Sequence, residues 1–154
     1  MTTHVLKQTA EEHVISREQL GATILRWGLG IILLAHSVYL KLVVFTLPGT
    51  EAFFESLGLP GFIAYVVFAA EALAGFALLL GVKVRLASLL LIPVLAGATW
   101  AHWQSGWLFT NSGGGWEYPL FLTLAAAVQA LIGEGAWALE SKVNSVTLTR
   151  GKLS

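Results

Sequence analysis

Four ionisable side chains, His36, Lys41, His102 and Glu117, stand at the edges of long apolar runs, accompanied by Trp103, Trp116 and Tyr118. Imidazoles, an ammonium and a carboxylate beside large rings suit a pocket that stacks a flat ligand and hydrogen-bonds its carbonyl oxygens; a quinone head group has that shape. Glu117 opens the last apolar run, where the helix macrodipole favours negative charge. The sequence therefore predicts an ionised Glu117 that accepts hydrogen bonds from Lys41 or His102. The same residues also read as an aromatic belt with a solvated polar cap, because Trp and Tyr favour the level where lipid meets water. Two histidines on neighbouring helices raise metal or haem ligation, yet neither lies in an HxxH or CxxCH arrangement. No metal site is expected, and haem is disfavoured.

Arg26 and Glu71 lie inside apolar runs. An ionisable side chain in lipid is costly and ordinarily faces the bundle interior with a partner. At 1.5 Å of rise per residue, Arg26 sits roughly 9 Å and Glu71 roughly 15 Å from the inner ends of their helices, a difference an arginine can span. A buried Arg26–Glu71 ion pair is predicted. It is read first as a contact that fixes how two helices meet, and second as part of a proton path.

The elements that position these residues follow from composition. The chain has 154 residues, 56% hydrophobic and 12% charged, with a mean hydropathy of +0.73, beyond the apolar share of soluble domains. It reads as an all-α integral membrane protein, an antiparallel bundle of four transmembrane helices. The spans are placed at residues 20–40, 62–81, 86–103 and 119–137, with Pro93 kinking the third. Residues 1–19 form an N-terminal segment, 20–137 one transmembrane domain and 138–154 a C-terminal tail. The first 18 residues have no apolar core and are not read as a cleavable signal peptide. Gly81 stands where the second helix should end, and the short turn after it makes helices 2 and 3 antiparallel neighbours. Gly113 to Gly115 form a tight turn that delivers Trp116, Glu117 and Tyr118 to the mouth of the last helix, with Pro119 in its first turn.

Cationic residues precede helix 1 (Lys7, Arg17), fill the second turn (Lys83, Arg85) and follow helix 4 (Lys142, Arg150, Lys152). Positive residues favour the cytoplasmic side, so both termini are predicted there, with loops 1 and 3 on the opposite face. Nine basic and nine acidic residues balance, which gives no electrostatic case for nucleic acid. The absence of Cys excludes disulfides, thiolate nucleophiles and dithiol exchange, so any redox chemistry must use a borrowed group.

The chain resembles the DoxX family of small four-helix bacterial membrane proteins over nearly all of residues 25–140. The resemblance rests on Arg26-Trp27-Gly28-Leu29-Gly30, on His36 with Lys41-Leu42, and on Leu57-Gly58-Leu59-Pro60 three residues after Phe54. It continues through Glu71 and Gly75, Gly81 with Arg85-Leu86-Ala87, His102 with Gly106, and Gly114-Gly115-Trp116-Glu117-Tyr118-Pro119. Ser37, where the family commonly has Gly, and Val84, where Thr often precedes the Arg, depart from it. The resemblance implies a bacterial inner-membrane protein connected with thiosulfate:quinone oxidoreductase subunits and membrane redox complexes; fold analogy alone fixes no activity. Two classes stay open. One is a quinone-linked or redox-partner subunit with a polar outer pocket, its partners being lipid and other membrane or periplasmic redox subunits. The other is a non-enzymatic scaffold or small-solute transport component. No covalently bound cofactor is expected, and neither a catalytic residue nor an oligomeric state is assigned.

Overall fold

The computed structural model describes residues 15–140. Helix α1 (Arg17–Leu34) runs without interruption into a π-helical stretch, Ala35–Val44; α2 (Leu47–Ser56) lies in the first loop; α3 (Ile63–Leu80), α4 (Val84–Ala101) and α5 (Glu117–Ile132) complete the chain. The described residues contain no strand. Helices α1, α3, α4 and α5 close a bundle in the cyclic order α1–α3–α4–α5–α1, with the most extensive packing between α4 and α5, while α2 leans on α3 and the π-helical stretch.

Each helix has a local reason to begin or end. Ser16 caps α1 in a capping box, its Oγ accepting from Gln19 N while Gln19 Oε1 accepts from Ser16 N. Gly81 ends α3 in the left-handed region at φ 70°, and Val82 N–H reaches back to the Ala77 carbonyl at 2.9 Å. Helix α4 continues through Pro93. On α4, Val84, Ala87, Ser88, Leu91 and Leu95 are buried, an i, i+3, i+4, i+7, i+11 stripe that is one face of a helix. They meet Leu29 and Leu33 of α1, Ala74 and Leu78 of α3, and Leu122, Ala125 and Ala126 of α5 in one core. The opposite faces are no less apolar: Ile24, Ile31, Leu73, Phe76, Leu89, Leu90, Phe121 and Leu131 are all more than half exposed. A helix that is hydrophobic all round belongs in lipid. Three helices are long and apolar enough to cross a membrane, Arg17–Val44, Phe62–Leu80 and Val84–Ala101, and α5 is a shorter apolar helix of 16 residues.

The fourth helix stops earlier than its apolar run predicts, at Ile132 instead of about Trp137, because Gly133 and Gly135 both take positive φ. Gln129 Nε2 donates to the Gly133 carbonyl at 2.6 Å, and the chain turns back under the bundle. A Cβ on Gly135 would lie 2.6 Å from the Gln19 carbonyl oxygen. The Ala136 carbonyl accepts from Thr23 Oγ1 at 3.0 Å and from Arg26 Nη2 at 3.1 Å. Glu140 then receives the Lys83 backbone N–H at 2.7 Å and its Nζ at 3.0 Å; these bonds, the backbone one foremost, hold the Glu140 carboxyl below the usual carboxylate range. The tail predicted from residue 138 is thus docked as far as Glu140, and residues 141–154, like 1–14, lie outside the described residues.

The predicted Arg26–Glu71 ion pair is absent. Arg26 is completely buried, and its guanidinium serves carbonyls: Nη1 donates to Leu78 O at 2.8 Å and Leu79 O at 3.3 Å, and Nη2 donates to Ala136 O. Leu78 and Leu79 lie in the last turn of α3, where carbonyls run short of helical donors and carry the negative end of the macrodipole; Leu78 O also takes the Gly81 N–H at 3.3 Å. A cation there is matched without a carboxylate in contact. Arg26 therefore ties α1, α3 and the returning tail into one knot. Thr23, Leu78, Ser88, Gln129 and Ala138, each fully buried, make this end of the bundle solid.

Where α1 crosses α3, Gly30 and Gly75 face one another. A Cβ on Gly30 would sit 3.0 Å from the Gly75 carbonyl oxygen, and one on Gly75 would sit 2.9 Å from Leu34 Cγ. Small residues let helix backbones approach in lipid, where the hydrophobic effect does not drive helices together. The crossing lies one turn from Glu71 and thereby sets how far that carboxylate stands from α1.

Candidate functional site

At the end away from the Arg26 knot the bundle opens. A cavity of about 690 Å³ reaches from the loops down to Glu71 and Pro93, in the middle of α3 and α4. Its walls are mostly apolar, and His36, Lys41, Glu71, His102 and Tyr118 line it together. A smaller cavity of about 420 Å³ lies beside it, sharing His36, Lys41, Phe53, Phe54 and His102 as walls. Helix α2 contributes Phe53 and Phe54 to both. It is held by Thr46, whose side chain caps it by accepting from Gly49 N at 3.3 Å.

Glu71 has a partner, Lys41: Nζ and Oε2 are 2.5 Å apart, with the two side chains 17% and 7% exposed. The apolar run alone puts Lys41 just after helix 1. The helical path instead continues to Val44, closed by the i→i+5 bond from Phe45 N to Leu40 O at 2.8 Å. That continuation carries the ammonium across to α3. π-Helical turns are rare and concentrate at functional sites.

The α-to-π junction also explains how His36 is set. At the change from i→i+4 to i→i+5 bonding the Ala35 N–H is shared between the Ile31 and Ile32 carbonyls. Side chains supply donors here: His36 Nδ1 bonds Ile32 O at 2.9 Å, and Ser37 Oγ donates to Leu33 O at 2.8 Å. Ser37, the position where a Gly was expected, is fully buried and contributes its hydroxyl to this junction. The His36 ring stacks on Tyr118 with centroids 6.2 Å apart.

His102 caps α4 and is held by the third loop, its Nδ1 bonded to Gly113 O at 2.9 Å. That loop closes on itself through Trp116 N to Gly106 O at 3.1 Å, Glu117 N to Trp107 O at 3.2 Å and Asn111 Nδ2 to Ser105 O at 2.8 Å. Gly113 and Gly114 have φ of 84° and 76°, as the tight turn requires. Gly115 is buried where a Cβ would run into the Leu108 and Trp107 carbonyls, so only glycine fits.

Four of the seven predicted ligand-binding residues, His36, Lys41, His102 and Tyr118, thus line the cavity, and Trp103, Trp116 and Glu117 do not. Trp103 and Trp116 stack on one another at 4.6 Å, and Trp107 meets Trp116 edge-on at 4.4 Å. Their faces hold the loop together. Glu117 is likewise taken up locally, Oε1 accepting from Phe109 N at 3.0 Å, and not from Lys41 or His102. The sequence reading missed Phe53, Phe54, Gly97 and Trp100 as wall residues. The pattern of Phe53-Phe54 in a short segment bounded by Pro and Gly was the signal that could have found the first two. No group of three or more potential metal ligands occurs among the described residues.

A closed ring of apolar-surfaced helices, packed solid at one end and hollow at the other, defines a multi-pass membrane protein with a cavity between its helices. Residues 21–103 match the DoxX family model, and the chain belongs to that family. It is also 37% identical over 123 residues, 79% of this chain and 86% of the relative, to a protein of Bacillus subtilis (strain 168) described as "Putative oxidoreductase CatD". No solved structure matches it.

Proposed function

We propose that this DoxX protein is a quinone-linked or redox-partner subunit, and that the cavity is where a quinone head group binds. The observation that carries this reading is the convergence of His36, His102 and the Lys41–Glu71 pair on a mostly apolar cavity of about 690 Å³. Sites for small ligands typically combine apolar walls with a few placed polar groups, at volumes of about 300–1,000 Å³. The relative's description as an oxidoreductase agrees with it. Small-solute transport fits less well, because the Arg26 knot would have to be broken for anything to pass.

A short-chain ubiquinone or menaquinone analogue is expected to quench tryptophan fluorescence of the detergent-solubilised protein saturably, since Trp100 lines the cavity. Gly97→Phe fills that cavity from a position where an added Cβ meets nothing within 4 Å. It should raise the apparent Kd about tenfold or more while leaving Tm nearly unchanged. Quenching that is linear in quinone and equal in both proteins would mark simple partitioning into the micelle, and the scaffold reading would take its place.

The cation distribution supports an orientation with both termini on the cytoplasmic side of a bacterial inner membrane and the cavity towards the outer face. Single cysteines introduced at Ser56 and Ser112 should therefore react with a membrane-impermeant maleimide added outside intact cells. A cysteine at Ser145, outside the described residues, should react only after lysis. The reverse labelling pattern would invert the topology.

A further inference from the structure

We propose that the two histidines make the cavity selective for the reduced, dihydroxy-aromatic form of its ligand over the oxidised dione. The inference rests on the quinone-site reading above and specifies which redox form the site prefers.

It starts from which ring nitrogen carries hydrogen. In both residues Nδ1 lies 2.9 Å from a backbone carbonyl oxygen, that of Ile32 for His36 and that of Gly113 for His102. A carbonyl can only accept, so each Nδ1 is the donor, and in the neutral imidazole Nε2 is then an acceptor. Two different structural needs impose the same tautomer: the α-to-π junction in one case, the closure of the third loop in the other. Among the described residues the buried side-chain polar atoms without a partner are Arg26 Nε, Ser88 Oγ and Gln129 Oε1, and neither Nε2 is among them. Both rings belong to residues that line both cavities.

The charged and hydroxyl side chains that share the cavity with the two rings are Lys41, Glu71 and Tyr118. Lys41 gives one of its ammonium N–H groups to Glu71 at 2.5 Å, Glu71 adds a carboxylate acceptor, and the Tyr118 hydroxyl can donate or accept. A dione offers only carbonyl oxygens and would set lone pairs against the two Nε2 lone pairs. A hydroquinone or catechol brings two O–H groups that these nitrogens can receive. Rejection of a ligand that leaves buried polar groups unpaired is the strongest form of discrimination a small site can make.

Equilibrium dialysis of the detergent-solubilised full chain, under anaerobic conditions, would compare decylubiquinone with decylubiquinol. Each result is corrected against protein-free micelles. The reduced form is expected to bind at least about tenfold more tightly. His36→Gln and His102→Gln, made singly, can turn an amide N–H₂ towards the ligand, and each should shrink that ratio. Equal affinities, or tighter binding of the dione, would overturn the inference and leave the quinone site standing. A preference that persists unchanged in both variants would overturn the assignment to the histidines. Saturable binding of neither form would remove the inference together with the quinone site.

Discussion

Glu71→Met is expected to destabilise the detergent-solubilised protein by about 3 to 5 kcal/mol, Lys41→Met by a similar amount, and the double variant to return close to the parent. Removing one member of a buried pair strands the other charge in a low-dielectric interior, whereas replacing both with apolar side chains of similar volume is often near neutral. The 2.5 Å contact and the low exposure of both side chains place this pair in that regime. Arg26→Met supplies the contrast. Combined with Glu71→Met it should be additive, since the two residues share no bond. Chemical-denaturant unfolding followed by far-UV circular dichroism measures all five variants beside the parent. Rescue of Glu71→Met by Arg26→Met, and not by Lys41→Met, would restore the pairing expected from depth alone and reject the one described here.

Arg26→Met should be the most damaging substitution that keeps the side-chain volume, at no less than about 3 kcal/mol. Hydrogen bonds to a charged group contribute about 1.5 to 3 kcal/mol each, and Arg26 makes three, to the carbonyls of Leu78, Leu79 and Ala136. Without the guanidinium, the end of α3 loses its cation and the tail loses a second anchor beside Thr23. Arg26→Lys should recover little. A lysine carries one ammonium where arginine presents a planar fork whose two arms here reach different segments. Cleavage by a protease in the segment after Ile132 should accelerate in parallel with the loss of stability. Full rescue by lysine, or a Met variant as stable as the parent, would mean that Arg26 merely fills space.

The bundle was legible because its signals are local and redundant. Apolar runs, the Gly81 terminator and the Gly113 to Gly115 turn each specify backbone behaviour within a few residues, and they agree with one another. The ion pair was misassigned because depth counting treats each helix as ending where its apolar run ends. That rule left Lys41 in a loop and gave Glu71 to the only remaining cation. Helix α1 continues instead to Val44, and no composition rule announces a change of hydrogen-bonding pattern. The third loop was misjudged for a different reason. Its rings and Glu117 were counted as available to a ligand, yet a segment of this length with few apolar neighbours must satisfy its own backbone. Trp103, Trp116 and Glu117 are consumed in doing so. Of the candidate residues, His36 and His102, each pinned by a backbone carbonyl, and Lys41, carried by the continuation of α1, reached the cavity, as did Tyr118.

The π-helical stretch has one more implication, which concerns angular phase. In an α-helix, residues five apart point about 140° away from each other, so His36 and Lys41 could not both face the bundle interior. With i→i+5 bonding they fall on nearly the same side. The chemical character of the cavity is thus written in the winding of one helix as much as in the identity of its side chains. Any shift that returned residues 35–44 to α-helical winding would swing the ammonium away from α3 while leaving His36 where it is. Glu71 would then face the cavity as a lone carboxylate, and the same residues, in the same order along the chain, would present a different set of donors and acceptors.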